Sequence, residues 1–140
     1  MSRHLVAPLA LSLLTAVAVA QTPSPAPQQT PPVTGDRSTP LRPLAGEGNV
    51  GISNATLRDQ PEVRALRVVV EAGGVRAVHA HADVRFHLFV PISGVMQLDL
   101  EGSATTEVQP WHPYFMPGGT SHGFRNGGPE AVEIMEIFIR

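Results

Sequence analysis

Residues 79–100 read HAHADVRFHLFVPISGVMQLDL, and two features of this stretch decide how the chain folds. The first is punctuation. Arg85 to Ile92 is rich in apolar and aromatic residues and stops at Ser93-Gly94, while Val95 to Leu100 stops at Glu101-Gly102. Short runs bounded by such turn residues read as β-strands. Along Val95–Leu100 the period is two: Met96, Leu98 and Leu100 face one way, Gln97 and Asp99 the other. The second feature is histidine. His79 and His81 share parity, so both can point to one face of a strand, and His87 opens the next apolar run.

The same texture extends on both sides. Upstream, Leu66-Arg67-Val68-Val69-Val70-Glu71 runs to Gly73-Gly74, and Val75 to Ala82 carries the first two histidines. Downstream come Thr105 to Gln109, Tyr114 to Met116, His122 to Arg125 and Val132 to Ile139. The pattern predicts an all-β sandwich or barrel. The one helical piece expected is a turn near Asp59 to Arg64. In the last run Val132, Ile134 and Phe138 stand opposite Met135, Ile137 and Ile139. A strand apolar on both sides is buried on both, which in a domain this small predicts a homodimer.

A second histidine cluster lies at Pro117-Gly118-Gly119-Thr120-Ser121-His122-Gly123-Phe124-Arg125-Asn126. The Pro-Gly-Gly turn can reverse the chain and set His122 beside the first cluster. Neutral imidazole is the commonest protein ligand for transition metals. His79, His81, His87 and His122 are therefore expected to hold one divalent ion, His87 either as a fourth ligand or as a neighbour of one. Zinc and copper compete well for nitrogen ligands; manganese, iron and nickel stay equally open. Of the other histidines, His4 falls in a leader segment and His112 between prolines, and both read as bystanders. Arg85 and Asp83 flank the site, and Arg85 is either a contact for an anionic substrate or a solvated loop residue. The expected pocket wall is apolar: Phe89, Met96, Leu98, Phe115, Phe124 and Ile137. Asn126 precedes Gly127-Gly128-Pro129 and reads as a turn residue.

These residues resemble the cupin superfamily, whose two motifs are G-x5-H-x-H-x3/4-E-x6-G and G-x5-P-x-G-x2-H-x3-N. Gly73, His79, His81 and Gly94 match the first; Pro117, Gly119, His122 and Asn126 match the second. The short gap between the motifs is similar to that of small single-domain cupins. The resemblance implies a double-stranded β-helix, a jelly-roll barrel, over Leu44 to Arg140. Two positions depart from it. Trp111 replaces the leading glycine of the second motif, and His87 stands where the first motif has glutamate. The departure implies a site of four imidazoles, more similar to cupins with all-histidine manganese or three-histidine iron sites than to oxalate-degrading ones.

Residues 1–20 read as a secretory signal: Arg3 in a short positive start, an apolar run from Leu5 to Ala16, and Ala18-Val19-Ala20 for cleavage. The run is too short for a stable membrane anchor, so export to the periplasm or exterior is expected. Residues 21–43, rich in Pro, Thr and Gln, read as a disordered spacer, leaving 44–140 as the barrel domain. A net charge of −2 gives no footprint for nucleic acid. The chain has no cysteine, so an exported domain relies on its core and any bound metal. The partner expected is a small-molecule ligand or substrate. Function divides between a metal-dependent oxidoreductase or dioxygenase and a non-catalytic module that binds metal or a small ligand. A sugar isomerase or epimerase is the weaker third reading, because no inward Glu or Tyr is evident; no catalytic residue is assigned.

Overall fold

The computed structural model describes residues 36–140. The expected signal and most of the expected spacer lie outside them. Nine strands occur among the described residues: β1 (Arg42–Pro43), β2 (Val50–Asp59), β3 (Val63–His79), β4 (Phe86–Pro91), β5 (Met96–Leu100), β6 (Thr106–Val108), β7 (Tyr114–Pro117), β8 (His122–Arg125) and β9 (Val132–Ile139). All pairings are antiparallel, in the order β6-β5-β8-β3-β9-β4-β7, with β2 also on β3 and β1 on β2. This is the all-β jelly-roll barrel expected.

The long β3 makes the barrel. Its first half pairs with β2 and β9, and its second half, Val75 to His79, pairs with β8. The change of partner falls at Gly73-Gly74. Gly73 sits at φ 72°, and a Cβ on Gly74 would lie 2.7 Å from Val70 Cγ1. The glycines that read as a strand end are therefore a corner within one strand, which changes its neighbour there from β9 to β8. The expected helical turn at Asp59–Arg64 is instead a hairpin between β2 and β3. Gln60 and Val63 exchange backbone hydrogen bonds of 2.9 and 3.3 Å around Pro61-Glu62, and proline there favours a tight turn. The chain already touches the barrel before Leu44: Arg37 pairs with Glu133 at 2.8 Å, and β1 lies on β2.

The core follows parity. Val68, Val70, Phe89, Met96, Leu98, Met116, Phe124, Ile134 and Phe138 are buried, each large side chain contributing about 1.5–3 kcal/mol of transfer free energy. Of the expected pocket wall, Phe89, Met96, Leu98 and Phe124 are interior. Phe115 faces out and packs on Phe86, with ring centroids 4.9 Å apart, and Ile137 is on the outer face of β9. Asn126 holds the turn as expected: its side-chain amide donates to the carbonyls of Val70, Glu71 and Glu130, and its Oδ1 accepts from Gly128 N–H.

Trp111 has φ 63°, the left-handed region, at the position where the second motif has glycine. A side chain there costs about 1–2 kcal/mol, and glycine returns part of that through a more flexible unfolded chain. Because the indole is 70% exposed, little apolar burial is lost with it. Trp111→Gly is expected to raise the unfolding free energy by roughly 0.5–1 kcal/mol in urea titrations. A clear loss of stability would show that the indole packs on something that matters.

Candidate metal centre

His79 ends β3, His81 lies just beyond it, His87 is on β4 and His122 begins β8. His79 and His122 are direct cross-strand partners. The loop carrying His81 is held by the Pro117-Gly118-Gly119 turn: Gly119 N–H donates to the His81 carbonyl at 2.9 Å, and Gly118 N–H to the Arg85 carbonyl at 2.8 Å. A Cβ on Gly118 would fall onto the Val84 carbonyl, so only glycine lets the two backbones approach this closely. The turn thus joins the two histidine clusters, as its sequence suggested.

The rings converge. The His79 and His81 Nε2 atoms are 3.1 Å apart, and ring centroids are 4.4 Å for His79–His122, 4.9 Å for His87–His122 and 5.3 Å for His81–His87. Phe138 closes one side, stacked on His87 at 4.4 Å and edge-on to His81 at 4.6 Å. His79 Nδ1–H donates to the Ala77 carbonyl at 2.9 Å, and His122 Nδ1–H to that of Thr120 at 2.8 Å. A carbonyl only accepts, so each proton sits on Nδ1 and each Nε2 presents a bare lone pair to the cluster. This is how carbonyl partners orient metal-binding imidazoles. Burial, opposed for His122 by the Thr120 bond, pushes the pKa values of His81 and His122 down to about 4, and that of His79 also falls. All three are neutral at pH 7, the form a metal ligand needs.

Sequence reasoning missed one member, Glu136 on β9, and the expectation of no inward glutamate is corrected here. Glu136 shares the inner face with Val132, Ile134 and Phe138, so that face is not wholly apolar. Its parity with them was legible, but the strand's hydrophobicity hid it. Its Oε1 lies 3.5 Å from His87 Nε2, at the outer limit for a hydrogen bond, and both atoms are left without a partner. Burial raises the carboxyl's pKa; the adjoining imidazoles, His87 first, more than reverse this, and the net direction is down. A carboxylate buried so deeply needs a positive charge close by.

A metal ion fits this arrangement on three counts. His79, His81 and His122 offer ligand atoms all within 4.8 Å of one another, and so do His87, His122 and Glu136. Nitrogens bound at about 2.0–2.1 Å to one ion lie roughly 2.9–3.4 Å apart, which matches the His79–His81 spacing. Both ring nitrogens of His87, Nε2 of His122 and Oε1 of Glu136 are buried and orphaned, a cost that a cation would remove. His112 is exposed, away from the cluster, and bonds the Pro110 carbonyl. Arg85 lies 5.9 Å over the Phe86 ring, and Gln97 accepts from Arg125 on the outer face.

No known family's sequence profile matches the chain, and no curated protein matches it in sequence. Solved structures match it in fold. The KdgF protein of a Halomonas species is 20% identical, with a TM-score of 0.65 over 79% of this chain and 96% of its own. A predicted oxalate decarboxylase of Thermotoga maritima is 18% identical, with a TM-score of 0.67 over 76% and 97%. A cupin domain of Bordetella pertussis is 25% identical, with a TM-score of 0.57 over 68% and 99%.

Proposed function

Because the chain has the cupin fold, we propose that it is a metal-dependent enzyme acting on a small molecule, with His79, His81, His87 and His122 as metal ligands. The carrying observation is Glu136: a buried carboxylate with an orphan oxygen, set against the imidazoles. A bound divalent ion would supply Lewis acidity, polarising a substrate oxygen. The residues do the rest. His79 and His122, their Nδ1 protons held by backbone carbonyls, keep Nε2 aimed inward. Phe138 excludes water from one side. Glu136 can take a proton at Oε1 and return it, the role that the isomerase reading lacked. Solved structures of the same fold include a DMSP lyase, a polyketide cyclase and a predicted oxalate decarboxylase, which supports proton-transfer and bond-cleaving chemistry.

A second reading, an oxidoreductase or dioxygenase, is favoured by a set of four imidazoles, which bind a metal as uncharged ligands and leave a divalent ion its full charge. One experiment separates these readings from a non-catalytic binding module. The chain is loaded in turn with zinc, manganese and iron(II), and offered short keto and hydroxy acids in deuterated water. Exchange of the carbon-bound proton with zinc or manganese supports the first reading. Oxygen uptake with iron alone supports the second. A saturated metal with no exchangeable ligand, seen spectroscopically, leaves the binding module.

Two expectations stay as proposals. Export rests on residues 1–20, and a mature amino terminus other than one near Gln21 would reject it. The homodimer gains support from the outer sheet, where Phe86, Leu88, Val90, Phe115, Ile137 and Ile139 are partly or largely exposed side by side in register. An apolar patch of this kind fits a second copy packed face to face. Sedimentation as monomer at micromolar concentration would reject it.

A further inference from the structure

Beside the histidine cluster lies a cavity of about 160 Å³ whose polar wall includes three guanidinium groups, Arg64 and Arg76 from β3 and Arg140, together with Asn54 and Asp83. His79, His81 and Glu136 line the same space, so the cavity opens onto the histidine cluster. Arg64 shares parity with Leu66 and Val68 and faces inward across from Phe138. Its Nε is buried with no hydrogen-bond acceptor while the side chain as a whole is 42% exposed, and the nearest carboxylate oxygen, from Asp59, is 3.9 Å away, beyond hydrogen-bond reach. Arg76 makes one side-chain bond, to Asn49 Oδ1 at 2.9 Å, and no ion pair among the described residues. Four of the five N–H groups of its guanidinium are thus uncommitted, on a side chain that remains charged. Burial lowers the pKa of Arg76, a sign that its charge is poorly solvated; the Glu136 carboxylate opposes this. Arg140 is already satisfied by Asp59 at 3.1 Å and the Gln60 carbonyl at 3.2 Å.

The carboxylates on the wall are Asp83 and Glu136, and Glu136 Oε1 lies 3.5 Å from His87 Nε2 without a hydrogen bond. Arg64 and Arg76 are thus the guanidinium groups on this wall without a hydrogen-bonded carboxylate. A larger depression of about 480 Å³ around Gln97 and Gly127 has no arginine, lysine or histidine in its wall, and its charged members are Glu107 and Glu130. Of these two cavities, the smaller is the one that suits an anion.

We infer that this cavity is the substrate pocket and that it takes a small carboxylic acid, held through its carboxylate by Arg64 and Arg76 while its other end reaches His79, His81 and Glu136. Planar guanidinium matches a carboxylate through paired N–H donors, and an incoming acid gives the orphaned Arg64 Nε its acceptor. At about 30 Å³ per water, the cavity holds roughly five waters, which limits the acid to about three to five carbons. The inference rests on the proposal that the histidine cluster is the reacting centre, and it deepens that proposal by naming the substrate class.

Isothermal titration of the zinc-loaded chain with pyruvate, succinate, pyruvamide and inorganic phosphate tests it. Pyruvate or succinate should bind at least tenfold more tightly than neutral pyruvamide. Arg64→Gln should weaken the acids about tenfold, leave pyruvamide and the zinc content unchanged, and be partly rescued by Arg64→Lys. Equal affinity for pyruvate and pyruvamide, acid binding indifferent to Arg64→Gln, or phosphate bound more tightly than either acid would overturn the assignment. Titrating the metal-free chain keeps the two proposals apart. A protein that takes up no metal yet binds pyruvate through Arg64 overturns the metal reading and leaves this one standing.

Discussion

His122→Ala should strip the protein of its metal. His122 is the shared member of both ligand groups, is 1% exposed, and turns an orphaned Nε2 into the cluster. Zinc held by a structural site is worth about 10–16 kcal/mol. Divided over three or four ligands, that is about 2.5–5 kcal/mol for each, a loss of roughly 10²–10⁴ in affinity. The measurement is metal content by mass spectrometry after dialysis against a competing chelator, with His112→Ala alongside. The His112 variant should keep the wild-type stoichiometry, because that ring is exposed and bonded to its own loop. Stoichiometric metal surviving in the His122 variant would refute the ligand set, whatever activity is found.

Most of the barrel was legible because its strands alternate and its turns are written in Gly and Pro. His122–Arg125 and Val132–Ile139 match the observed strands end to end, and Met96 and Leu98 are fully buried as parity required. What failed to show was whatever depended on a neighbour. β2 reads weakly because Gly51, Ser53 and Asn54 interrupt it; pairing to β3 along its length makes it a strand. Gly73-Gly74 looked like a terminus because a glycine pair has the same signature at a strand end and at a corner. The site divides in the same way. The four histidines announce themselves by spacing and chemistry. Arg64 and Arg76 do not, since an arginine in a strand is ordinarily a solvated residue, and only the crossing of β9 beside β3 sets the Arg64 side chain against the histidine cluster. Arg85, the arginine nearest the histidines in sequence, went to the surface instead.

Glu136 offers the sharpest separation between a functional and a structural account of this site, because the two predict opposite changes in stability. If Glu136 and His87 were simply a buried ion pair holding the barrel together, Glu136→Gln would break it. Removing one member of such a pair costs about 3–5 kcal/mol. The geometry argues otherwise. The pair is stretched to 3.5 Å, Oε1 has no hydrogen bond, and both ring nitrogens of His87 are unpartnered. Burial opposes the charge of a carboxylate that has no hydrogen-bonded cation and only the adjoining imidazoles offset it, whereas a neutral amide of the same shape is less costly to bury. Metal-free Glu136→Gln is therefore expected to be at least as stable to urea as the metal-free wild type. With metal present the order should reverse: loss of the carboxylate weakens binding by about 10–100-fold, the range for groups that tune or orient a metal site. The stabilisation that metal gives the wild type shrinks accordingly. Paired urea titrations with and without chelator, together with competition for the metal, read both effects. A variant destabilised by several kcal/mol without metal, and bound to metal as tightly as wild type, would make Glu136 a structural residue and remove the proton-transfer role from the site.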